Sequence, residues 1–184
     1  MIMSVSELRQ YIDTDKSDQV LEAMLQALEL SIRAHTNNNF MARAFRVVAD
    51  AQGATNKLIV HGYAPFKVGD TLQITDAEYL QDALVTVKAI KDNEIETNEP
   101  LFDDPSVVLT KVVYPADIKM GVANLVKWDL ERRDKVGVSS ETVSRHSVTY
   151  FDMSGDNSIL GYPKALTGFL KPYMKARFGR GLDI

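Results

Sequence analysis

The sequence predicts an α+β fold in which a helical bundle-like scaffold is interrupted by a small β-barrel or sandwich insertion. Apolar residues recur at helical spacing near both ends of the chain, first from Leu21 to Ile32 and again from Ile118 to Val126. Between these stretches, short β-prone runs follow one another at roughly ten-residue spacing, which is typical of small barrels and sandwiches. We therefore expect one helical domain formed by 1–41 and 114–184, and an inserted β-domain at 42–113.

Two helices are predicted before the insertion. Ser4 and Glu7 have the spacing of a capping box, in which each residue bonds the other's backbone, and this predicts a short helix over 5–12. A longer helix is expected over 18–36, where Leu21, Leu25 and Leu28 belong to one apolar stripe. Three asparagines at 37–39 indicate its end, because asparagine tolerates the left-handed conformation that closes many helices.

The insertion is predicted from alternating β-branched and apolar residues bounded by turn residues. The Lys91-Asp92-Asn93 turn favours a hairpin between the strands on either side of it. The predicted strands lie near 45–48, 57–60, 68–74, 83–90, 94–97 and 106–113.

Helical spacing returns at Pro115, a residue that suits the first position of a helix because it has no N–H to leave unpaired. This helix is expected over 115–136, with Gly137 just beyond its end. Residues 138–151 are polar and β-prone, which predicts a strand or a hairpin. A closing helix is expected from 162–163 onwards, bent or stopped by Pro172.

The composition limits the classes of function. Hydrophobic residues make up 45% of the 184 residues, enough for a substantial core. The chain has no cysteine, which excludes disulfides and thiolate metal sites. No apolar run approaches the ~18 residues of a membrane span, and no signal peptide is evident. The net charge of −4 disfavours a dedicated nucleic-acid binder.

Charge is distributed unevenly along the chain. Residues 164–184 have a net charge of +4, so the remaining residues carry −8 to give the total of −4. A basic end on an acidic body indicates a segment that docks onto an acidic surface, although a solvated helix end would have the same composition.

Known catalytic and metal-binding motifs do not fit the sequence. The run Asp13-x-Asp15-x-Ser17 begins like a calcium loop, but Asp18 and Met24 stand where that loop needs glycine and a bidentate glutamate. The three histidines, His35, His61 and His146, are not spaced as metal ligands on a helix. There is no nucleophile elbow and no phosphate-binding glycine loop. We therefore expect no catalytic residue, metal or cofactor, and do not expect an enzyme.

The helical parts of the sequence resemble a known family. The features are SVSELRQYI and VLEAMLQALELSIRAHTNN near the N-terminus, DIKMGVANLVKWDLERRDK followed by GVSSETVSRHSVTY, and a closing YPKALTGFLKPYMKARFG. They are similar to the head–tail connector proteins, also called adaptor or head-completion proteins, of long-tailed bacteriophages and prophages. The resemblance covers about 1–40 and 115–180. The insertion at 42–113 departs from the plainest family members, which join the helices directly.

The resemblance implies a structural protein of the virion, assembled in the cytoplasm of the bacterial host. Such proteins form a ring of about 12 copies beneath the portal, closed by heterologous contacts between subunits. The ring extends the DNA channel and offers a platform for the next head-completion or tail protein. The implied partners are other copies of the chain, the portal and that next protein. DNA would pass through without specific binding, and no membrane would be involved.

In this family the C-terminal segment tends to reach toward the portal. The candidate portal-docking residues are Lys171, Tyr173, Lys175, Arg177, Phe178 and Arg180. The 138–151 segment is a candidate interface with another subunit or with the next protein, through Val143, Arg145, His146 and Tyr150. A different class of function stays open, in which the β-domain is a small-barrel binding module that captures a peptide or a glycan.

Overall fold

A computed structural model describes residues 1–133, 140–143, 146–149 and 157–176. The chain divides into two compact units, one formed by 1–38 with 114–184 and the other by 39–113. We call them the helical unit and the barrel unit, and describe each by itself.

The barrel unit is a closed barrel of six antiparallel strands in the order β1-β2-β5-β4-β3-β6. Because every strand pairs on both sides, the barrel has no open edge to invite further pairing. The strands are β1 (Met41–Gln52), β2 (Lys57–Val60), β3 (Thr71–Thr75), β4 (Leu84–Lys91), β5 (Glu94–Thr97) and β6 (Asp104–Val112).

Apolar side chains fill the interior of the barrel. Burial alternates along β2 and β5, so that Leu58, Val60 and Ile95 face inward and their neighbours are half-buried. Leu72 and Leu109 join them and are fully buried. The core residues described for this unit therefore all lie within 39–113.

The direction of the strands defines two ends of the barrel. Met41 pairs with Val112 at one end, and Ala51 pairs with Asp104 at the other. The chain enters and leaves at the first end, where the Val113 N–H donates to the Phe40 carbonyl at 2.9 Å. We call this the proximal end. The opposite, distal end consists of the 53–56, 76–83 and 98–103 connections.

The helical unit contains α1 (Val5–Leu8), α2 (Asp18–Thr36) and α3 (Ala116–Arg132). The Glu7 N–H donates to the Ser4 hydroxyl at 3.1 Å and so caps α1. The helices α2 and α3 bury the predicted apolar stripes, and α2 ends at Asn37 in the left-handed conformation, with φ of 49°.

The predicted fold class, an α+β fold with a helical bundle-like scaffold, is wrong. The largest regular structure among the described residues is the six-stranded antiparallel sheet. Of the predicted helices, α1 is a single turn and stops at Leu8 rather than at position 12. The expected α-helical ending after 162 is absent from 157–176.

The C-terminal part forms short irregular elements in place of a closing helix. A two-stranded ladder joins β9 (Ser158–Ile159) to β10 (Tyr162–Pro163), and 3₁₀ turns follow at Lys164–Leu166 and Gly168–Tyr173. Two prolines lie in this stretch, and Gly168 raises the entropic cost of helix formation. The 3₁₀ turns tolerate such residues because they are short. The helical spacing of Leu166, Phe169 and Leu170 therefore predicts a helix where 3₁₀ turns form.

The prediction of β-structure in 138–151 is confirmed for the part that the structure describes. Strands β7 (Ser140–Val143) and β8 (His146–Thr149) pair in antiparallel fashion, with Val143 opposite His146. The end of the 115–136 helix prediction lies outside the described residues from 134 onwards.

Candidate functional site

The C-terminal segment is held against the end of α2. The Lys175 N–H donates to the Thr36 carbonyl at 2.8 Å. The side-chain amides of Asn37 and Asn38 donate to the carbonyls of Ala176 and Tyr173, at 3.0 and 3.2 Å. The asparagines that end α2 therefore also fix the chain just before its last basic residues.

A second attachment comes from α3. The Tyr173 hydroxyl lies 2.8 Å from both carboxylate oxygens of Asp117 and donates to this group. The hydrogen bond to the carboxylate raises the pKa of Tyr173, with a smaller contribution from desolvation. One predicted docking side chain is thus bonded within its own unit, whereas Lys171 and Lys175 are exposed.

The structure brings some of the predicted site residues together. Lys171, Tyr173 and Lys175 share the 3₁₀ turn and the residues just after it. The remaining docking candidates, Arg177, Phe178 and Arg180, lie outside the described residues. Of the other interface candidates, Val143 and His146 are paired through their backbones, while Arg145 and Tyr150 fall outside the described part. Their proposed roles stay predictions.

An aromatic and charged cluster ties the β9–β10 ladder to α3. The Tyr162 hydroxyl donates to Asp129 at 2.5 Å, and Arg133 pairs with Asp129 at 2.6 Å. The Arg133 guanidinium lies 4.7 Å from the centre of the Tyr162 ring and 5.3 Å from that of Trp128. Burial, followed by the Asp129 hydrogen bond, raises the pKa of Tyr162 above its ordinary range.

A partly open cleft of about 260 Å³ borders this cluster. Because Asp129 already accepts from Tyr162 and pairs with Arg133, its carboxylate is engaged in structure rather than available as a general base. The cleft is lined by Met24, Ala27, Leu28, Ser31, Asp129, Arg133, Leu160 and Tyr162.

A buried polar pair joins α2 to the start of the segment that leads into α3. The Tyr114 hydroxyl donates to the Glu29 carboxylate at 2.8 Å, and both residues are buried. The Met1 amino group lies 3.2 Å from the same carboxylate. Desolvation, with the nearby Glu29 charge, raises the pKa of Tyr114 above its ordinary range.

At the distal end we call residues 76–83 and 98–105 the acidic rim; they comprise two loops and the first two residues of β6. The Asp104 carboxylate accepts from the backbone N–H groups of Glu78 and Tyr79, at 2.6 and 3.2 Å, and so ties the two loops together. Within these loops Tyr79 is 65% exposed and Phe102 61%. The rim contains no lysine or arginine, and its acidic residues are Asp76, Glu78, Asp82, Glu99, Asp103 and Asp104.

The proximal half of β1 forms what we call the basic bulge, residues 42–46. Met41 pairs with Val112 and Arg46 with Thr110, so 42–45 stand opposite one residue of β6 and bulge from the ladder. Arg43, Phe45 and Arg46 are exposed. The Lys111 ammonium lies 5.7 Å from the centre of the Phe45 ring.

Sequence reasoning missed both barrel surfaces. The sequence shows an acidic excess over 1–163 as a whole, but without strand directions it does not show that acidic loops meet at one end of the barrel. The only signal for the bulge was the run Arg43-Ala44-Phe45-Arg46, in which polar and apolar residues alternate too imperfectly for a regular ladder.

Across 1–133, 140–143, 146–149 and 157–176, no three His, Asp or Glu side chains are grouped so that they could hold a metal ion. The helices within those ranges are each too short or too polar to cross a membrane. No family model matches the sequence, and a search of curated proteins finds no match.

Proposed function

We propose that this protein is a structural subunit of a bacteriophage or prophage head–tail connector. It assembles into a ring with other copies of itself, docks on the portal through its C-terminal segment, extends the DNA channel and offers a platform for the next head-completion or tail protein. The proposal starts from the resemblance over about 1–40 and 115–180. The proposed function does not depend on a helical bundle-like scaffold, which the part of the chain that the structure describes does not form.

The observation that supports docking most is the way the C-terminal segment is held. Backbone and side-chain hydrogen bonds fix residues 173–176 to α2 and α3, at 2.8 to 3.2 Å. A basic stretch that starts from a fixed point loses less freedom on binding than one that hangs from a loose end. Repeated around a ring, weak contacts of this kind act at high effective concentration and sum to tight docking.

The charge of the protein is compatible with a DNA channel. A net charge of −4 gives few contacts to phosphates, so duplex DNA would slide past rather than bind. The alternative is a small-barrel module that captures a peptide or a glycan. Because apolar side chains fill the interior, its ligand would have to bind in a groove on the outside of the barrel.

The mass of the purified full-length protein in solution, measured alone and with the portal protein of the same phage or prophage, tests the proposal. We expect self-association, or a ring on the portal, and loss of portal binding in a variant that ends at Ala176. That variant keeps the hydrogen bonds of 173–176, so its circular dichroism should be unchanged.

A matched control removes basic charge elsewhere, as in Lys16→Ser with Lys127→Ser, both exposed. The control should bind the portal like the parent chain. A protein that stays monomeric with and without portal would contradict the proposal, as would tight binding to duplex DNA at physiological salt.

A further inference from the structure

We propose that the acidic rim of one copy of this chain binds the basic bulge of a second copy. The inference rests on the proposed function, since the contact matters only for a chain that assembles with itself. It names which two surfaces of the barrel unit meet in that assembly.

The acidic rim has the properties of an interaction surface. Its loops are held in place by hydrogen bonds from backbone N–H groups to carboxylates: Asp104 accepts from two N–H groups, and Asp103 accepts from the Gly53 N–H at 2.8 Å. Little freedom therefore remains to be lost on binding. Tyr79 and Phe102 project from these loops with more than half of their surface exposed. Aromatic side chains of this kind supply much of the binding energy at protein interfaces.

The basic bulge has the complementary charge. In the described residues, Lys57, Lys88 and Lys111 of the barrel are paired with Glu94, Glu96 and Asp70. Arg43 and Arg46, by contrast, have neither an ion pair nor a side-chain hydrogen bond within the part of the chain that the structure describes.

Arginine is suited to such a contact because its planar guanidinium binds a carboxylate through two parallel hydrogen bonds. Phe45, 41% exposed between the two arginines, adds an apolar anchor to the bulge. The bulge therefore matches a surface that carries both carboxylates and aromatic rings, as the rim does.

The two surfaces lie at opposite ends of the same barrel and so cannot meet within it. The bulge is next to the Met41–Val112 pair, whereas the rim includes Asp104, which pairs with Ala51. At about 3.3 Å per residue, the length of β1 separates these two pairs. A contact between rim and bulge must therefore join different barrels. When it is repeated head to tail it is heterologous, the type of interface that closes a ring.

Two charge-reversed variants of the full-length protein test this contact. The rim variant carries Asp76→Lys and Glu78→Lys, two exposed side chains without a hydrogen bond or ion pair in the described structure. The bulge variant carries Arg43→Glu and Arg46→Glu. Like charges then face each other, and we expect each variant alone to associate at least about a hundredfold more weakly, as measured by light scattering.

Mixing the two variants is the decisive step. The reversed rim of the rim variant then faces the reversed bulge of the bulge variant, and the unchanged rim faces the unchanged bulge. Association should therefore return, as a complex in which the two variants alternate.

Asp92→Lys with Asp15→Lys is the control for the rim variant; Asp92 is exposed and shares the positive φ of Asp76, 55° in both. Lys16→Glu with Lys164→Glu is the control for the bulge variant. Both controls should associate like the parent.

Failure of the mixture to associate would overturn the inference, as would unimpaired association of either variant alone. Loss in the rim variant without loss in the bulge variant would assign the rim to another basic occupant, such as the C-terminal segment, and would also overturn it. In each of these cases the parent chain would still form its ring and bind the portal. Failure of this contact can therefore be distinguished from failure of the proposed function.

Discussion

At the scale of single residues, Glu29 and Tyr114 form a buried polar pair whose loss affects stability. Both side chains are removed from water, and the hydroxyl donates to the carboxylate at 2.8 Å. A buried polar group that loses its partner costs the full desolvation of that group. The pair therefore favours this one arrangement of α2 and the segment before α3 over others that would leave the charge unpaired.

We expect Glu29→Ala to lower the free energy of unfolding by about 1–3 kcal/mol, because the Tyr114 hydroxyl stays buried without its acceptor. Urea denaturation followed by circular dichroism measures this. Glu22→Ala is the matched control on an exposed position of the same helix and should change stability by less than about 0.5 kcal/mol. Equal effects of the two substitutions would show that the pair does not stabilise the fold.

Tyr114 and Tyr162 predict a loss of stability in alkali. Burial raises the pKa of both, whereas in the unfolded chain they ionise near the ordinary pKa of about 10. Above that pH the unfolded state releases protons that the folded state retains, so the free energy of unfolding falls as pH rises. Each tyrosine contributes at most about 1.4 kcal/mol per pH unit to this slope.

Tyr162→Phe removes one ionising group and should make the fall between pH 10 and 11 shallower than in the parent chain. Denaturant titrations at several pH values measure the slope. Tyr63→Phe is the control, because Tyr63 is 85% exposed and its substitution should leave the slope unchanged. An identical slope for Tyr162→Phe and the parent would contradict the prediction.

At the scale of elements, the 3₁₀ turns at the C-terminus depend on a glycine in α3. A Cβ added at Gly121 would lie 2.5 Å from atoms of the Phe169 ring. The ring therefore packs directly against the backbone of the helix. Glycine destabilises the interior of a helix, so its presence at position 121 is best explained by the space that the Phe169 ring needs.

Gly121→Ala should destabilise the helical unit by about 1–3 kcal/mol, since the overpacking outweighs the gain in helix propensity. Combined with Phe169→Ala, the same substitution should cost much less than it does alone, because the clash is gone. A double-mutant cycle of unfolding free energies measures this coupling. Strict additivity of the two changes would contradict the packing argument.

The same elements show how far the sequence predicts local structure. The helices α2 and α3 and the strands β2 and β5 follow from periodicity, because their buried residues repeat at 3.6 or 2.0 positions. All five residues of β3 are buried, so that strand has no alternation of burial. The C-terminal turns do not. Leu166, Phe169 and Leu170 have helical spacing, yet Gly168 and Pro172 interrupt the helix and Phe169 packs on Gly121 instead. That contact lies far apart in sequence and has no local signature.

The candidate sites show the same division. The basic C-terminal segment could be predicted from composition, since charge is read directly from the sequence. The attachment of Tyr173 to Asp117, and the separation of rim from bulge, could not. Both depend on which elements become neighbours, and local residue patterns do not encode that.

At the scale of the whole molecule, the barrel unit has the properties of an inserted module. Its strands close on one another, and its core draws only on residues of 39–113. The chain enters and leaves at one place, where Val113 and Phe40 are hydrogen-bonded at 2.9 Å. An insertion whose ends meet imposes little strain on the domain that receives it.

Residues 39–113 expressed alone should therefore fold, with the strand-rich circular dichroism of the barrel and a single cooperative transition in denaturant. The full-length chain should lose the barrel at the same denaturant concentration to within experimental error, because the core residues that the structure describes for the barrel all lie within 39–113. Ile95→Ala truncates a fully buried side chain of that core. It should lower the free energy of unfolding of the barrel by about 2–5 kcal/mol, both in the isolated barrel and in the full chain.

If the isolated segment were unfolded where the full chain is folded, the barrel would need the helical unit for its stability. The two units would then form one cooperative body rather than a scaffold and a module.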